Sequence, residues 1–417
     1  MPSGLSAKTR KLNIAIVGGS IAGCAAATEL HRCGHAVTVL ERSGEELKDR
    51  GAGIGIPASM LDTLVERDLV DSDIACFPGG AFTRLCRRDD EPRYGYVAWS
   101  QPIDIMALNW GSLYRNLRRR VPEGTYRTHS RVTALRPTPQ ETVVVKLADG
   151  SELTFDLALC ADGYASLGRL TLFPDVETRY AGYVLWRGAI HESELAETKP
   201  LERGIQCVGF SGGHGIFYFV PGPEEAVRDG ERLVNWGIYH QLPADELPAF
   251  LTDASGFRHE GSLPPGSMPT ATENAMKAFH AAHLPDYYIE IVERSRGTFA
   301  YVISDCEVEA YHRNRICLVG DAGAFARPHS GAGALKGISD VISLAEALDD
   351  DEPLENALSH WSEARAGVNN QLVHFGNQLG QALVLDIPDW STMDAVAMKA
   401  WFSGAVTIQS EYMESGR

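Results

Sequence analysis

The chain of 417 residues is 44% hydrophobic and 22% charged, enough apolar material for a large buried core, which excludes a disordered tail and a fibrous repeat. Its 38 Lys and Arg against 55 Asp and Glu leave a formal net charge of −17. A surface of that sign repels phosphate backbones and anionic lipid, so neither a nucleic acid nor a membrane is expected as partner. The eight cysteines form no Cys-x-x-Cys pair and several sit in apolar runs. They read as reduced core thiols of a cytoplasmic protein, not as a disulfide frame or zinc site. The N-terminal segment lacks a secretory apolar stretch, and no run approaches the roughly 20 apolar residues of a membrane-spanning helix.

The first elements are the most explicit. Asn13–Val17 is a continuous apolar run that stops at Gly18-Gly19-Ser20, and Ile21–Arg32 then carries small and apolar residues at helical spacing. Gly34 ends that helix, and Ala36–Leu40 is a second apolar run closed by Glu41. The spacing predicts a β-α-β unit. Its turn reads Gly18-x-Ser20-x-x-Gly23, with Ser20 in place of the second glycine of the dinucleotide fingerprint. Glu41 follows Gly18 by 23 positions, close to the roughly 20 at which an acid bonds a ribose hydroxyl. Gly18, Ser20, Ile21, Ala22 and Gly23 are expected at the pyrophosphate, on the positive end of the helix. Glu41 and Arg42 are expected at the adenosine end. The acid favours an unphosphorylated ribose, hence FAD or NAD before NADP.

Two distant segments choose between these. Residues 157–169 (LALCADGYASLGR) form a buried strand running into Ala161-Asp162-Gly163. Residues 316–347 (ICLVGDAGAFARPHSGAGALKGISDVISLAEA) form another buried strand ending at Gly320-Asp321, then a Pro- and Gly-rich turn, then a long helix. A contiguous NAD-binding domain has no need of a second strand-Gly-Asp turn so late in the chain.

The order of these three motifs resembles the flavoprotein aromatic hydroxylases of the para-hydroxybenzoate hydroxylase type. GGSIAG, Arg50 in RGAGI, Asn109-Trp110, YAGYVLWRG and ARPHSGAG are similar to the 2,6-dihydroxypyridine hydroxylase branch. The resemblance implies an α/β fold: an FAD-binding Rossmann-like domain of the GR2 type, an inserted mixed β-sheet substrate domain and a C-terminal helical segment. It places Asp321 on the ribityl chain, Gly331, Gly333 and Ala334 at the pyrimidine edge of the flavin, and Arg50 and Trp110 near the cofactor. Asp162 takes a structural role, and Pro328 lies beside the flavin ring. It also implies NADPH or NADH as transient reductant, O2 as co-substrate and a flavin C4a-hydroperoxide that attacks an electron-rich ring, a hydroxypyridine or related phenolic heterocycle. A small aromatic substrate is the expected partner, and homo-oligomers occur in the family.

The expected division is 1–80, 105–178 and 298–355 for FAD, 81–104 and 179–297 for substrate, and 356–417 for the C-terminal helices. The middle region is rich in strand-forming aromatic runs. Tyr218, Trp236 and Tyr239 are candidate pocket walls, although core packing is the commoner reason for an aromatic in a strand. His329, in the turn assigned to the flavin, is the candidate acid–base group beside Pro328. His280 and His283 have no third ligand in metal-like context, so no metal site is expected. Arg365, Asn369 and His374 read as a solvated helix face. Rival readings remain an epoxidase or halogenase, although no W-x-W-x-I-P segment of the halogenase kind occurs, an NAD-linked dehydrogenase, and a non-catalytic FAD module.

Overall fold

The computed structural model describes residues 11–44 and 53–405. Its first sheet has six strands in the order His312–Arg313, Ile316–Leu318, Leu157–Cys160, Asn13–Val17, Ala36–Leu40 and Tyr126–Arg127. Neighbours run parallel except in the hairpin formed by the first two. The central strands are continuous apolar runs because both faces are covered and no wet side imposes alternation. Ile14, Ile16, Leu157 and Leu159 are wholly buried. The helices Ile21–Arg32 and Gly333–Asp349 and a three-stranded antiparallel sheet share one core with these strands.

Register matters more to the site than strand order. Val17 lies opposite Cys160, and Cys160 opposite Leu318. Three segments far apart in the chain therefore end level with one another, and the turns that follow them emerge side by side at the carboxyl edge of the sheet. In open parallel sheets that edge is where ligands bind.

The second large sheet is mixed, with eight strands in the order Ser262–Leu263, Phe299–Asp305, Arg179–His191, Leu233–Gln241, Gly213–Val220, Gly204–Phe210, Ala81–Cys86 and Tyr96–Pro102. Phe299–Asp305, which the sequence assigned to the cofactor part, pairs with Arg179–His191 in this sheet. On its outer face Trp186, Phe217, Trp236 and Ile238 pack under the helices Thr270–Ala281 and Asp286–Arg294. The inner face carries Tyr183, Leu185, Cys207 and Tyr239, which meet Leu372, Phe375 and Leu379 of the helix Leu354–Gly380 and Met398 of Ala395–Ala405. Among the described residues no helix is long and apolar enough to cross a membrane.

Candidate active site

The N-terminal turn is built by close approach. Gly18 has φ +97°, and a Cβ there would lie 2.5 Å from the Ala161 carbonyl oxygen; one on Gly23 would lie 1.9 Å from that of Gly18. Only glycine lets the helix start fold this tightly against the strand end. Ser20 occupies the N-cap but makes no side-chain cap bond, which leaves its hydroxyl, with the unpaired first N–H groups of the helix, available to an anion. Ile21 is buried beneath them, and Ala22 packs toward Gly320 and Gly337.

Glu41 is buried, and its carboxylate accepts the Gly19 N–H at 2.8 Å and the Ser43 N–H at 2.7 Å. These bonds hold the acid at the strand end, and a carboxylate has further lone pairs for a ribose hydroxyl. Tyr126 closes the turn by donating to the Gly19 carbonyl at 2.9 Å. Arg42 is exposed just beyond.

Asp162 follows the second strand. Its Oδ2 accepts the Leu167 N–H at 2.7 Å, its Oδ1 is buried without a partner, and burial raises its pKa above the usual carboxylate range. That bond ties the turn to the helix Leu167–Leu172.

The Gly320–Asp321 turn is held from both sides. Arg169, itself buried, donates to the carbonyls of Asp321 and Ala322 at 3.0 Å each and to that of Tyr164. Asp340, wholly buried in the helix Gly333–Asp349, accepts the Gly320 N–H at 2.9 Å, Arg365 Nε at 2.7 Å and Asn369 Nδ2 at 2.9 Å. Arg365 and Asn369 thus do not form the solvated face expected of them, because Asp340 needs their donors to sit in a core. His374 is mostly exposed, beside Glu307. The Asp321 side chain is half exposed, with the buried Lys336 ammonium 3.3 Å away.

Pro328–Ser330 forms one tight turn, Gly331 follows in the left-handed conformation, and the 17-residue helix Gly333–Asp349 begins. Gly331, Gly333 and Ala334 therefore lie at the positive end of a long helix, a ready acceptor for the electron-rich edge of a ring. His329 turns toward the inner face of the eight-stranded sheet. Its Nε2 is hydrogen-bonded to the Tyr183 hydroxyl at 2.8 Å, its ring lies 4.3 Å from that of Tyr239, and its Nδ1 has no partner. Burial, with His214 and Arg327 nearby, holds its pKa well below the usual range, so the imidazole is neutral. His214 stacks on Tyr239 at 4.7 Å and donates from Nδ1 to the Leu383 carbonyl at 3.0 Å. Burial also raises the pKa values of the Tyr183, Tyr218 and Tyr239 hydroxyls.

The three expected wall residues separate. Tyr218 and Tyr239 share the inner face, with Tyr218 against Gly53 and Asn235. Trp236 is on the outer face, wholly buried, edge-on to Trp186 at 5.0 Å and donating from Nε1 to Ser295 Oγ at 2.7 Å. It is core, not wall, because the two-residue period of a strand sends it opposite to Tyr239. Trp110 opens the helix Trp110–Arg118 and stacks on Tyr114 at 5.5 Å. Arg50 lies outside the described residues.

Tyr183, His214, Arg169, Lys336 and Asp340 are the groups that sequence reading missed. Asp340 had a legible signal: with Gly337, Val341, Leu344 and Leu348 it falls on the apolar stripe of its helix, where an unpaired acid is not tolerated.

This donor set fits FAD: a glycine turn with an uncommitted hydroxyl at a helix start, a buried acid one strand over, and a half-exposed aspartate leading to a second helix start. The comparisons agree. Residues 180–305 match a family model described as FAD binding domain-like. The 2,6-dihydroxypyridine 3-monooxygenase of Paenarthrobacter nicotinovorans is 30% identical over 361 residues, covering 84% of this chain and 85% of that protein. A salicylate hydroxylase of Pseudomonas putida is 24% identical over 83% of this chain and 78% of its own. The solved structure of 2,6-dihydroxypyridine-3-hydroxylase from Arthrobacter nicotinovorans superposes with a TM-score of 0.82 at 26% identity, covering 90% of this chain and 94% of that one. The chain belongs to the FAD-dependent aromatic-ring monooxygenases.

Proposed function

We propose that this enzyme hydroxylates a hydroxyl-bearing heteroaromatic ring of the hydroxypyridine class, seated on the inner face of the eight-stranded sheet beneath Pro328 and His329. The observation that carries this reading is the register that brings the three strand ends level, with the Pro328–Ser330 turn placed between the last of them and an aromatic floor. Bound FAD, reduced by NADPH or NADH, supplies the activation of O2 that inserts one oxygen atom into the ring.

The chain's own residues bind, orient and exclude water. Gly18, Ser20 and the start of the helix Ile21–Arg32 hold the pyrophosphate, Glu41 the adenosine ribose and Asp321 the ribityl chain. Gly331, Gly333 and Ala334 meet the flavin edge. Tyr239, Tyr218 and His214 wall the ring site with groups that stay uncharged at neutral pH. His329, neutral and fixed by Tyr183, accepts a hydrogen bond from a ring hydroxyl at Nδ1 and draws electron density toward the carbon to be attacked. Its depressed basicity favours polarisation over taking a full proton. The protein acts in the cytoplasm, alone or as a homo-oligomer.

The test is 2,6-dihydroxypyridine with the FAD-loaded enzyme under 18O2. Stimulated oxidation of NADH or NADPH with one labelled oxygen in the product is expected. Flavin retention without stimulation by this or related hydroxylated rings would return the protein to a non-catalytic FAD module.

A further inference from the structure

Lys336, in the first turn of the helix Gly333–Asp349, is 3% exposed. Its ammonium donates to the Ala324 carbonyl and lies 3.3 Å from Asp321 Oδ1. Lysine is among the residues least often fully buried, because burial strips water from its charge. The carbonyl contact does not account for that charge, since a neutral amide donor would meet it as well. Nor does the turn need a second cation. Arg169 already holds the Asp321 and Ala322 carbonyls at 3.0 Å, and the Tyr311 hydroxyl accepts the Ala324 N–H at 2.9 Å. Asp340, one turn further along the helix, is taken up by Arg365 and Asn369. What remains for the ammonium is Asp321, the half-exposed carboxylate assigned to the ribityl chain.

The place of this pair gives the charge a use. Helix side chains lean toward the N-terminus, and Lys336 reaches back to the turn that precedes its helix. Its ammonium thus belongs to both segments assigned to the flavin: the Asp321 turn at the ribityl chain and the helix start at the pyrimidine edge. The ribityl chain joins the ring system next to N1, so carboxylate and ammonium act on the same edge. Reduction by NADPH or NADH transfers a hydride, which is two electrons and one proton, and releases NADP+ or NAD+. The flavin then carries one more negative charge, held at neutral pH on the N1 side. A buried charge acts on that edge through a low dielectric with little screening by salt, and charge near N1 is one of the means by which a protein tunes a flavin. Asp321 by itself opposes the added electrons, and the Lys336 ammonium cancels that opposition.

We propose that Lys336 raises the reduction potential of the bound FAD by neutralising Asp321 and favouring the negative charge that reduction adds, so that a transient NADPH or NADH completes its hydride transfer. The inference rests on the reading of Asp321 as the ribityl ligand. Lys336 is a tuning group that works through its charge, not a catalytic residue.

Anaerobic reduction of the FAD-loaded enzyme by xanthine and xanthine oxidase, with a reference dye of known potential and no aromatic substrate, tests this apart from turnover. Wild-type FAD is expected to be easier to reduce than free FAD. In Lys336→Met the ratio of reduced to oxidised flavin at a fixed potential should fall at least tenfold, a shift of about 30 mV for a two-electron couple. Lys336→Gln, which keeps a donor for Ala324 and loses the charge, should fall as far, and Lys336→Arg should stay within about threefold of wild type. An unchanged potential in Lys336→Met, or a wild-type potential in Lys336→Gln, makes the lysine merely structural and overturns the proposal. Should neither uncharged variant fold or hold FAD, wild type decides: bound FAD no easier to reduce than free FAD overturns the proposal, and easier reduction supports it. A potential that depends on Lys336, in an enzyme that hydroxylates no hydroxypyridine, supports the tuning role and counts against the proposed reaction. Hydroxylation of the ring with a potential indifferent to Lys336 counts against Lys336 alone.

Discussion

At Gly23 one missing carbon decides whether the first turn exists. A methyl group there would lie 1.9 Å from the Gly18 carbonyl oxygen, a backbone clash that no rotamer relieves. Gly23→Ala is therefore expected to weaken FAD binding by at least about tenfold and to lower the melting temperature by several degrees. Asp321→Ala removes the acid proposed for the ribityl chain and leaves the buried Lys336 ammonium without its carboxylate. The ratio of flavin to protein absorbance after gel filtration should fall sharply, and full FAD occupancy would refute the role. His329 belongs to another step. His329→Ala should retain FAD while kcat falls on the order of a hundredfold, and Tyr183→Phe, which frees the imidazole it now orients, should act in the same direction more weakly. Loss of FAD in either variant would move these residues from the ring site to the cofactor site.

On the scale of elements, the helix Gly333–Asp349 serves the turn before it through a single buried carboxylate. Asp340 receives Gly320, Arg365 and Asn369, so Asp340→Ala strands a guanidinium and a backbone N–H together. The expected loss is about 3–5 kcal/mol in denaturant unfolding, with weaker flavin retention because the Gly320 turn loosens. A loss below about 1 kcal/mol would show that the turn is held by Arg169 alone. This network also marks where sequence reading ends. The strands Asn13–Val17, Leu157–Cys160 and Ile316–Leu318 were legible because continuous apolar runs ending at Gly or Asp have few other readings. Long-range partners were not. Arg365 looked solvated because its acid lies on a different helix, and Trp236 looked like a wall because aromatic runs on both faces of a doubly covered sheet lose the polar alternation that reveals a face.

For the molecule as a whole, the buried histidines set the response to acid. Burial lowers the pKa values of His214 and His240 to about 4 and that of His280 to about 3, from an ordinary 6.5. Folded protein then binds fewer protons than the unfolded chain below pH 6.5, so stability is full above that value and falls as pH drops toward the folded values. His214 and His240 each contribute up to about 3 kcal/mol of that fall and His280 up to about 5. Carboxylates held low by arginines, such as Glu192 and Glu307, add their loss only at lower pH. Melting temperatures between pH 7.5 and 5 should decline, and His280→Phe, which removes the most depressed of the three, should flatten the decline; an unaltered slope would contradict the assignment.

The proposed activity requires that three separated turns hold one flavin. The most direct test is the visible spectrum of freshly purified protein, followed by denaturation and identification of the released chromophore. The expected result is a two-banded flavin spectrum with close to one FAD released per chain. A colourless protein that also fails to take up added FAD would contradict the account.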